Sequence, residues 1–312
     1  MLGIVGDSAA GKTTLTRGLV RILGESQATH VAADSYHRYD RGERAERGLT
    51  PLDPAGNHLD LLEQHLRHLR AGEAILAPVY RHQDGSFAAA TYLAPAQFVI
   101  VEGMLGFHTP AMRETYDVRV FLDPPEDLRR RWKVQRDCTR RGYTTDQVLD
   151  ELDRREADAE AYIRPQRRYA DIAISFTPTD HGDQDHLSAR LVMRPGIAHP
   201  DLSPLVDATE GIELADEGPE TSLWVPGTIT AGRSAAIQEV IWERMHFASH
   251  LRTDRLGEFT IGTELHRSES LAITQLLVLY QLVNASAAVA VGASDTRTDR
   301  QAPRQISARA PG

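Results

Sequence analysis

The sequence has 312 residues, 41% hydrophobic and 25% charged, a composition typical of a globular protein and unlike that of a disordered or fibrous chain. Its formal net charge of -9 gives no overall positive field, so we expect neither nucleic acid nor a membrane surface as a partner. The single cysteine, Cys138, excludes an internal disulfide and a cysteine-built zinc site. The first residues lack the charged and apolar regions of a signal peptide, which predicts a cytoplasmic location.

Short β-branched runs alternate with amphipathic segments through residues 1–180. This alternation predicts an α/β fold with a mainly parallel or mixed sheet and helices on both faces. Helices are predicted over Thr13–Leu23, which ends before Gly24, and after Asn57, where leucines recur every three or four residues. Strands are predicted at Leu2–Val5, His30–Ala33, Phe98–Val101, Val118–Leu122 and Asp171–Phe176.

The composition changes near residue 180. Residues 177–227 are rich in Pro, Gly and Asp, which predicts hairpins and loops, and residues 234–291 are predicted to be helical. Within them, the uncharged stretch 270–294 is long enough to cross a bilayer, but its Gln and Asn side chains favour a buried helix. We therefore expect a core over 1–180, a C-terminal α+β extension over 181–294 packed on it, and a disordered tail over 295–312.

A phosphate-binding motif follows the first predicted strand. Residues 6–13 fit the pattern G-x-x-x-x-G-K-[ST] between a strand and a helix, as in P-loop NTPases. Lys12 would reach the β and γ phosphates of ATP, Thr13 would bind Mg²⁺, and Glu102 would be the carboxylate beside the metal. A glycine-rich turn without a ligand is the alternative, but a lysine at a helix start opposes the helix dipole unless an anion is bound. The predicted ATP-binding residues are Gly6, Asp7, Ser8, Ala9, Ala10, Gly11, Lys12, Thr13 and Thr14.

A kinase also needs a base for the acceptor hydroxyl and groups that hold the acceptor. Asp34 follows the second predicted strand, at the edge where ligands bind open α/β sheets, and is the candidate base. Tyr36, His37, Asp40 and Arg41 follow it closely. A turn residue at Asp34 and a solvated loop around His37 and Arg41 are the alternatives.

The second cluster of candidate residues is basic and helical. Lys133, Arg136, Asp137, Arg140 and Arg141 share one face of a predicted helix, and without an anion that face would repel itself. Such a helix suits a lid over the transferring phosphates, which we place around residues 129–155, with a hinge at 141–143. A solvated helix face is the alternative. Together these features predict a Mg²⁺-dependent P-loop kinase for a small molecule.

Seven motifs in order resemble the phosphoribulokinase family, within a P-loop kinase group that also includes uridine kinase. They are Gly-Asp-Ser-x-x-Gly-Lys-Thr at 6–13, Asp-Ser-Tyr-His-x-x-Asp-Arg at 34–41, Leu-Thr-Pro-Leu-Asp-Pro from 49, Ala-Pro-Val-Tyr-Arg-His from 77, Val-Glu-Gly at 101–103, Trp-Lys-Val-Gln-Arg-Asp at 132–137 and Tyr-Ile-Arg-Pro-Gln from 162. The resemblance implies ATP-dependent phosphorylation of D-ribulose 5-phosphate to ribulose 1,5-bisphosphate, the Calvin-cycle step that feeds carbon dioxide fixation.

The resemblance also assigns residue roles. It places the catalytic groups on Lys12, Asp34, Lys133, Arg136 and Asp137, and the metal site on Thr13 and Glu102. The substrate-binding residues it implies are Tyr36, His37, Arg41, Tyr80, His82 and Arg141. It matches Arg154 and Arg155 to a basic pair that binds nucleotide or effector in some members. We also expect a homo-oligomer, a dimer. Residues 270–291 could form part of a subunit interface as readily as a core helix.

Two departures from the family pattern are visible. Ala10 and Ala32 stand where photosynthetic members carry a redox pair of cysteines, so such a switch is impossible here, and Leu105 replaces a family histidine. Two other functions remain open: a uridine kinase, and a non-catalytic ATP-binding module. Cys138 is either activated by the neighbouring cations or an inert thiol.

Overall fold

The computed structural model describes residues 1–179, 186–196, 200–203, 206, 211–245 and 251–290. Its strands are β1 (Leu2–Gly6), β2 (Ala28–Ala32), β3 (Ile75–Arg81), β4 (Ser86–Leu93), β5 (Phe98–Gly103), β6 (Val118–Leu122), β7 (Ile172–Thr177), β8 (Ser188–Met193), β9 (Glu213–Glu217), β10 (Glu220–Val225), β11 (Glu258–Ile261) and β12 (Glu264–Arg267). Its α-helices are α1 (Lys12–Leu23), α2 (Arg41–Glu46), α3 (Leu59–Arg70), α4 (Pro110–Thr115), α5 (Glu126–Arg141), α6 (Thr145–Asp158), α7 (Ala231–Glu243) and α8 (Glu269–Ala290).

Eight strands form the central sheet in the order β2-β5-β1-β6-β7-β8-β10-β9. The first five are parallel, whereas β8, β10 and β9 each join antiparallel to the strand before them. The prediction of a mainly parallel or mixed sheet with a C-terminal extension is thus confirmed. The parallel half brings the carboxyl ends of β1, β2 and β5 to one edge, where ligands bind in such sheets.

Alternating side chains of the strands face two cores. Ile4 and Ile100 pack with α1, α7 and α8 on one face, while Val5 and Val101 pack with α3 and α4 on the other. Strands buried on both faces read as continuous apolar runs, which is why they could be located from the sequence. The predicted bounds of β6 agree with the structure, and those of the other four predicted strands differ by one or two residues at one end or at both.

The C-terminal extension completes the first core. Helix α8 is long and apolar enough to span a membrane, but 78% of its apolar window over Glu269–Ala287 is buried inside the protein. The prediction of a buried helix is therefore confirmed for the described residues, and most of the proposed subunit-interface segment up to Ala287 is covered within the chain. Because β7 pairs with β8, the sheet continues across residue 180, and the domain division there stays a prediction.

Two hairpins correct the sequence analysis. The C-terminal part is not helical throughout, because β11 and β12 pair between α7 and α8. The hairpin of β3 and β4 was not predicted either; Pro78 interrupts its strand pattern, and the register shifts at this residue. The predicted tail over 295–312 lies outside the described residues.

Candidate active site

The phosphate loop connects β1 to α1, and its shape depends on both glycines of the motif. A Cβ atom at Gly6 would lie 2.6 Å from the backbone oxygen of Leu122 on β6, so no larger residue fits there. Gly11, the residue directly before α1, has a φ of 95°, a left-handed backbone conformation that favours glycine, and Ala9 also has a positive φ of 67°. This loop therefore curls into a concave turn at the N-terminus of α1.

Lys12 lies across this loop. Its Nζ atom donates hydrogen bonds to the carbonyl oxygens of Gly6 and Asp7, at 2.9 and 3.0 Å, and the residue is buried. Within the described part of the chain no side chain caps the N-terminus of α1, and its first turn holds no acidic residue. A lysine and the free N–H groups of a helix start thus face one concave turn, which is the arrangement that binds phosphate.

Glu102 lies near the end of β5, between β1 and β2. Its Oε1 atom accepts a hydrogen bond from Thr13 Oγ1 at 3.2 Å and lies 3.1 Å from Nε2 of His30. Its Oε2 atom is buried and has no hydrogen-bond partner among the described residues. A buried carboxylate oxygen without a partner is unfavourable, so this site fits a cation. Sequence reasoning found Thr13 and Glu102 but missed His30.

Asp34 lies in the turn Ala33–Ser35 that follows β2. Its Oδ1 atom accepts a hydrogen bond from the backbone N–H of Met104 at 2.8 Å. Gly103 makes this approach possible, because a Cβ atom there would lie 2.6 Å from Cβ of Ala33 and 3.0 Å from Oδ1 of Asp34. One hydrogen bond to a rigid strand end therefore fixes the carboxylate that we expect to act as base.

Buried Gln166 holds the segment after β5 through two hydrogen bonds. Its Nε2 atom donates to the carbonyl oxygen of Met104 at 2.7 Å, and its Oε1 atom accepts from the N–H of Phe107 at 2.8 Å. Leu105 is buried in an apolar cluster with Leu52, Met104, Ala159 and Ile163, so the position that departs from the family pattern packs in a core. Sequence reasoning missed the role of Gln166, although it ends the motif that begins at Tyr162.

Three rings form one wall beside Asp34. The Tyr80 ring meets those of His37 and His82 edge to face, with centroids 4.6 and 5.2 Å apart. The Tyr80 hydroxyl accepts a hydrogen bond from buried Arg44 at 2.9 Å, a contact that sequence reasoning did not find. The structure thus brings the predicted residues Tyr80, His37 and His82 together.

Arginines lie close to His82. The Arg41 guanidinium donates to the carbonyl oxygen of His82 at 2.6 Å and lies 5.9 Å from the ring of Tyr143 at the predicted hinge. Burial lowers the pKa of His82, as do the charges of Arg141, Arg136 and Arg41, whereas Asp34 raises it. The predicted base and three predicted arginines therefore surround one histidine.

Two predicted substrate residues are buried. Tyr36 is 1% exposed, packs in the core beneath α3, and its hydroxyl lies 2.9 Å from Nδ1 of His65, so its role in substrate binding stays a prediction. His37 lies at the pocket, but burial and the charge of Arg44 lower its pKa to about 4. The ring is therefore neutral at neutral pH.

Helix α5, the predicted lid helix, centres on Asp137. This carboxylate accepts hydrogen bonds from Lys133 and from Nε of Arg136 at 2.8 Å, and Nη1 of Arg141 lies 3.4 Å away. Burial would raise the pKa of Asp137, but Arg136 and Lys133 lower it to about 2. The cationic face thus has an internal counter-ion, which corrects the expectation that it repels itself; Arg140 points away, toward Gly262.

Burial and Arg136 also lower the pKa of Lys133, to about 8, while Asp137 opposes this shift.

Two arginines join α5 to the phosphate loop. Arg129 donates to the carbonyl oxygen of Ser8 at 3.0 Å, and Arg136 lies 3.4 Å from its hydroxyl. Arg129 was part of the arginine run in the sequence, but only the fold shows that it is buried against the loop. The lid helix therefore lies directly over the phosphate site.

The predicted effector pair is divided. Both Arg154 and Arg155 contact Glu151, but the side chain of Arg154 is 72% exposed. Arg155 turns inward; burial and Arg44 lower its pKa to about 10, while the charges of Asp137 and Asp7 oppose the shift. Arg155 is therefore the more buried member of the pair, at 18% exposed. Cys138 is half-buried, with Sγ 3.9 Å from the Thr145 hydroxyl.

A phosphate loop, a fixed carboxylate and a cationic helix above both define a P-loop kinase that acts on a small-molecule acceptor. The model of the Phosphoribulokinase / Uridine kinase family matches residues 1–181. The chain belongs to this family.

Individual relatives agree with this assignment. The phosphoribulokinase of Synechocystis sp. is 34% identical over 230 residues, which cover 73% of this chain and 69% of that protein. The uridine kinase of Shewanella pealeana is 34% identical over 200 residues, covering 61% of this chain and 94% of the relative. The structure of phosphoribulokinase from Rhodobacter spheroides matches with a TM-score of 0.59 and 21% identity, covering 78% of this chain and 96% of that one, which supports the fold. The chain spans 59–60% of the length of the plant chloroplastic phosphoribulokinases that it matches.

Proposed function

We propose that the protein transfers the γ-phosphoryl group of ATP to a hydroxyl of D-ribulose 5-phosphate, giving ribulose 1,5-bisphosphate and ADP. The observation that carries this proposal is that Arg41 donates to the carbonyl oxygen of His82 at 2.6 Å, while the charges of Arg141, Arg136 and Asp34 act on the same histidine. Arginines at the acceptor side of a candidate base suit an acceptor that already carries a phosphate dianion. In the Calvin cycle this reaction supplies the substrate of carbon dioxide fixation.

Asp34 is the proposed base. As the acceptor oxygen forms its bond to the γ-phosphorus and the bond from that phosphorus to the β,γ-bridging oxygen breaks, Asp34 takes the hydroxyl proton and ADP leaves. The N–H of Met104 holds one carboxylate oxygen, so the other is directed by the turn after β2. The positioned carboxylate supplies both orientation and proton transfer.

Lys12, Lys133 and Arg136 are the proposed cations at the transferring group. Lys12 binds the phosphates from within the loop, while the salt bridges of Asp137 hold Lys133 and Arg136 on the lid helix. Cations held in place before the reaction stabilise developing charge without having to reorganise. Asp137 therefore acts by orienting these groups, and Arg155 is the proposed nucleotide or effector contact.

Thr13 and Glu102 are the proposed Mg²⁺ residues, because the partnerless Oε2 atom of Glu102 lies in the same site. Among the described residues no group of three or more His, Cys, Asp or Glu could hold a metal. Phosphate oxygens would therefore complete the coordination, as in other P-loop enzymes. When bound, Mg²⁺ neutralises charge on the β and γ phosphates.

A uridine kinase is the second candidate, since a uridine kinase is also similar in sequence to this chain. A nucleoside has no phosphate, so Arg41 would have no anion in the pocket and Arg141 would have only Asp137, which is unfavourable. A non-catalytic ATP-binding module would have no need for Asp34 or Asp137.

The test is ADP release from Mg-ATP with ribulose 5-phosphate, uridine, ribose 5-phosphate or no acceptor. The proposal predicts turnover with ribulose 5-phosphate alone. Turnover with uridine alone would support the second candidate. If the protein binds ATP but releases no ADP with any acceptor, the result would support the binding module.

We also propose a cytoplasmic homodimer. Since 78% of the apolar window over Glu269–Ala287 is buried in the core, we place the interface elsewhere on the chain. Light scattering coupled to size exclusion measures the mass directly. A particle near twice the chain mass of 34.6 kDa supports the dimer, and one near the chain mass refutes it.

A further inference from the structure

Asn57 is a buried amide whose orientation is fixed by its surroundings. Its Nδ2 atom donates hydrogen bonds to the carbonyl oxygens of Pro51 at 3.2 Å and Asp53 at 2.7 Å. Carbonyl oxygens only accept hydrogen bonds, so the amide nitrogen must face them. The amide oxygen Oδ1 therefore faces the other way, toward Nδ1 of His37, at 2.8 Å.

This contact determines where the imidazole hydrogen is placed. Oδ1 of Asn57 only accepts, so Nδ1 of His37 must carry the hydrogen. A backbone bridge between the two residues keeps them together, and the Tyr80 ring packs edge to face on the imidazole. The tautomer is thus set by geometry.

The charge of the ring follows from its environment. His37 is 4% exposed, and the ionisable groups that act on it are Arg44, Asp34 and His82. Burial and the Arg44 charge outweigh the attraction of Asp34 and lower the pKa of His37. At neutral pH the ring carries one hydrogen, on Nδ1, and Nε2 retains its lone pair.

An unprotonated Nε2 can only accept a hydrogen bond. A phosphate dianion has no hydrogen to donate, and neither has the Asp34 carboxylate, whereas a sugar hydroxyl does. We propose that His37 recognises a hydroxyl group of the acceptor through Nε2, and that Asn57 is the positioning residue that fixes this tautomer. The acceptor phosphate is left to Arg41 and Arg141. The inference rests on the proposed function for the identity of the acceptor.

The first test needs no turnover. Nitrogen-15 NMR of histidine-labelled full chain, with the His37 signals identified by their loss in His37→Gln, reports tautomer and charge. We expect a neutral ring protonated at Nδ1 throughout about pH 5.5 to 8, the range in which an ordinary histidine titrates. A ring protonated at Nε2, or one that becomes charged in this range, would overturn the inference even if the acceptor were confirmed.

The second test separates hydroxyl from phosphate recognition. In His37→Phe we expect the KM for ribulose 5-phosphate to rise roughly 5- to 150-fold, the effect of leaving a buried hydroxyl unpaired. Inorganic phosphate, which competes for the phosphate subsite, should inhibit this variant with the same inhibition constant as the unaltered protein. Arg41→Met should weaken inhibition by phosphate. Equal weakening in both variants would show that His37 binds phosphate.

Asn57→Leu keeps the His37 ring but frees its tautomer. We expect a mixture of the two neutral tautomers by NMR and a higher KM for ribulose 5-phosphate, with unchanged inhibition by phosphate. A variant that retained the Nδ1 tautomer would show that Asn57 does not fix it. If ribulose 5-phosphate is not a substrate, the NMR result on the unaltered protein still decides the state of His37.

Discussion

Asp137 is the counter-ion of the lid helix, and replacing it with the isosteric asparagine should destabilise the protein. The substitution keeps the size of the side chain but removes the charge that Lys133, Arg136 and Arg141 share. Because both Asp137 and Lys133 have side chains only 4% exposed, solvent cannot replace the lost interaction.

Two arguments give the magnitude. A pKa of about 2 in the folded state, against 3.8 in the unfolded chain, corresponds to about 2 kcal/mol of stability. This contribution is fully present above the unfolded pKa and is lost as the pH falls toward 2. Leaving a buried cation without its partner costs about 3–5 kcal/mol. We therefore expect Asp137→Asn to lower the free energy of unfolding at pH 7 by about 2–5 kcal/mol.

Urea denaturation followed by tryptophan fluorescence measures this change. The matched control is Asp127→Asn on the same helix, whose carboxylate is 75% exposed and lies 3.4 Å from Arg131. Such a surface pair is worth less than about 1 kcal/mol. If Asp137→Asn were no more destabilising than the control, the counter-ion argument would be wrong.

Two further predictions concern charge at the phosphate site. The value of kcat/KM should fall as the pH rises through about 8, because Lys133 loses its proton there. Lys133→Arg, with a guanidinium that stays charged, should not show this fall in kcat/KM at high pH. If the fall is unchanged in this variant, a group other than Lys133 causes it. In Glu102→Gln, the increase in ADP affinity that Mg²⁺ produces should be roughly 10-fold smaller, as measured by calorimetry. Unaltered Mg²⁺ dependence would remove Glu102 from the metal site.

The sequence was most informative where chemistry and local structure coincide. The phosphate motif needs a strand, a left-handed glycine and a helix start, and all three are local, so Gly11 and Lys12 could be placed without a fold. The capping box of Thr144 and Gln147, which begins α6, is likewise a four-residue local pattern. Buried parallel strands could also be recognised locally, because each is a short continuous run of apolar residues.

Orientation was not visible in the sequence. Tyr36 and His37 are neighbours in one motif, yet one packs in the core and the other lines the pocket, because a turn directs successive side chains differently. Asn57 and Gln166 act through contacts across 20 and 59 or more residues of chain, which no local pattern encodes. The hairpin of β11 and β12 was missed because its four-residue strands are too short to show a period.

The central claim is that Asp34 takes the proton of the acceptor hydroxyl beside the phosphate loop. The most direct measurement is the turnover of Asp34→Asn with ATP and ribulose 5-phosphate, together with its affinity for ADP, using the exposed surface variant Asp60→Asn as the control. We predict that kcat falls at least ~100-fold while ADP affinity and the control stay unchanged, since a positioned base contributes about that much. Near-normal turnover in Asp34→Asn would contradict the account.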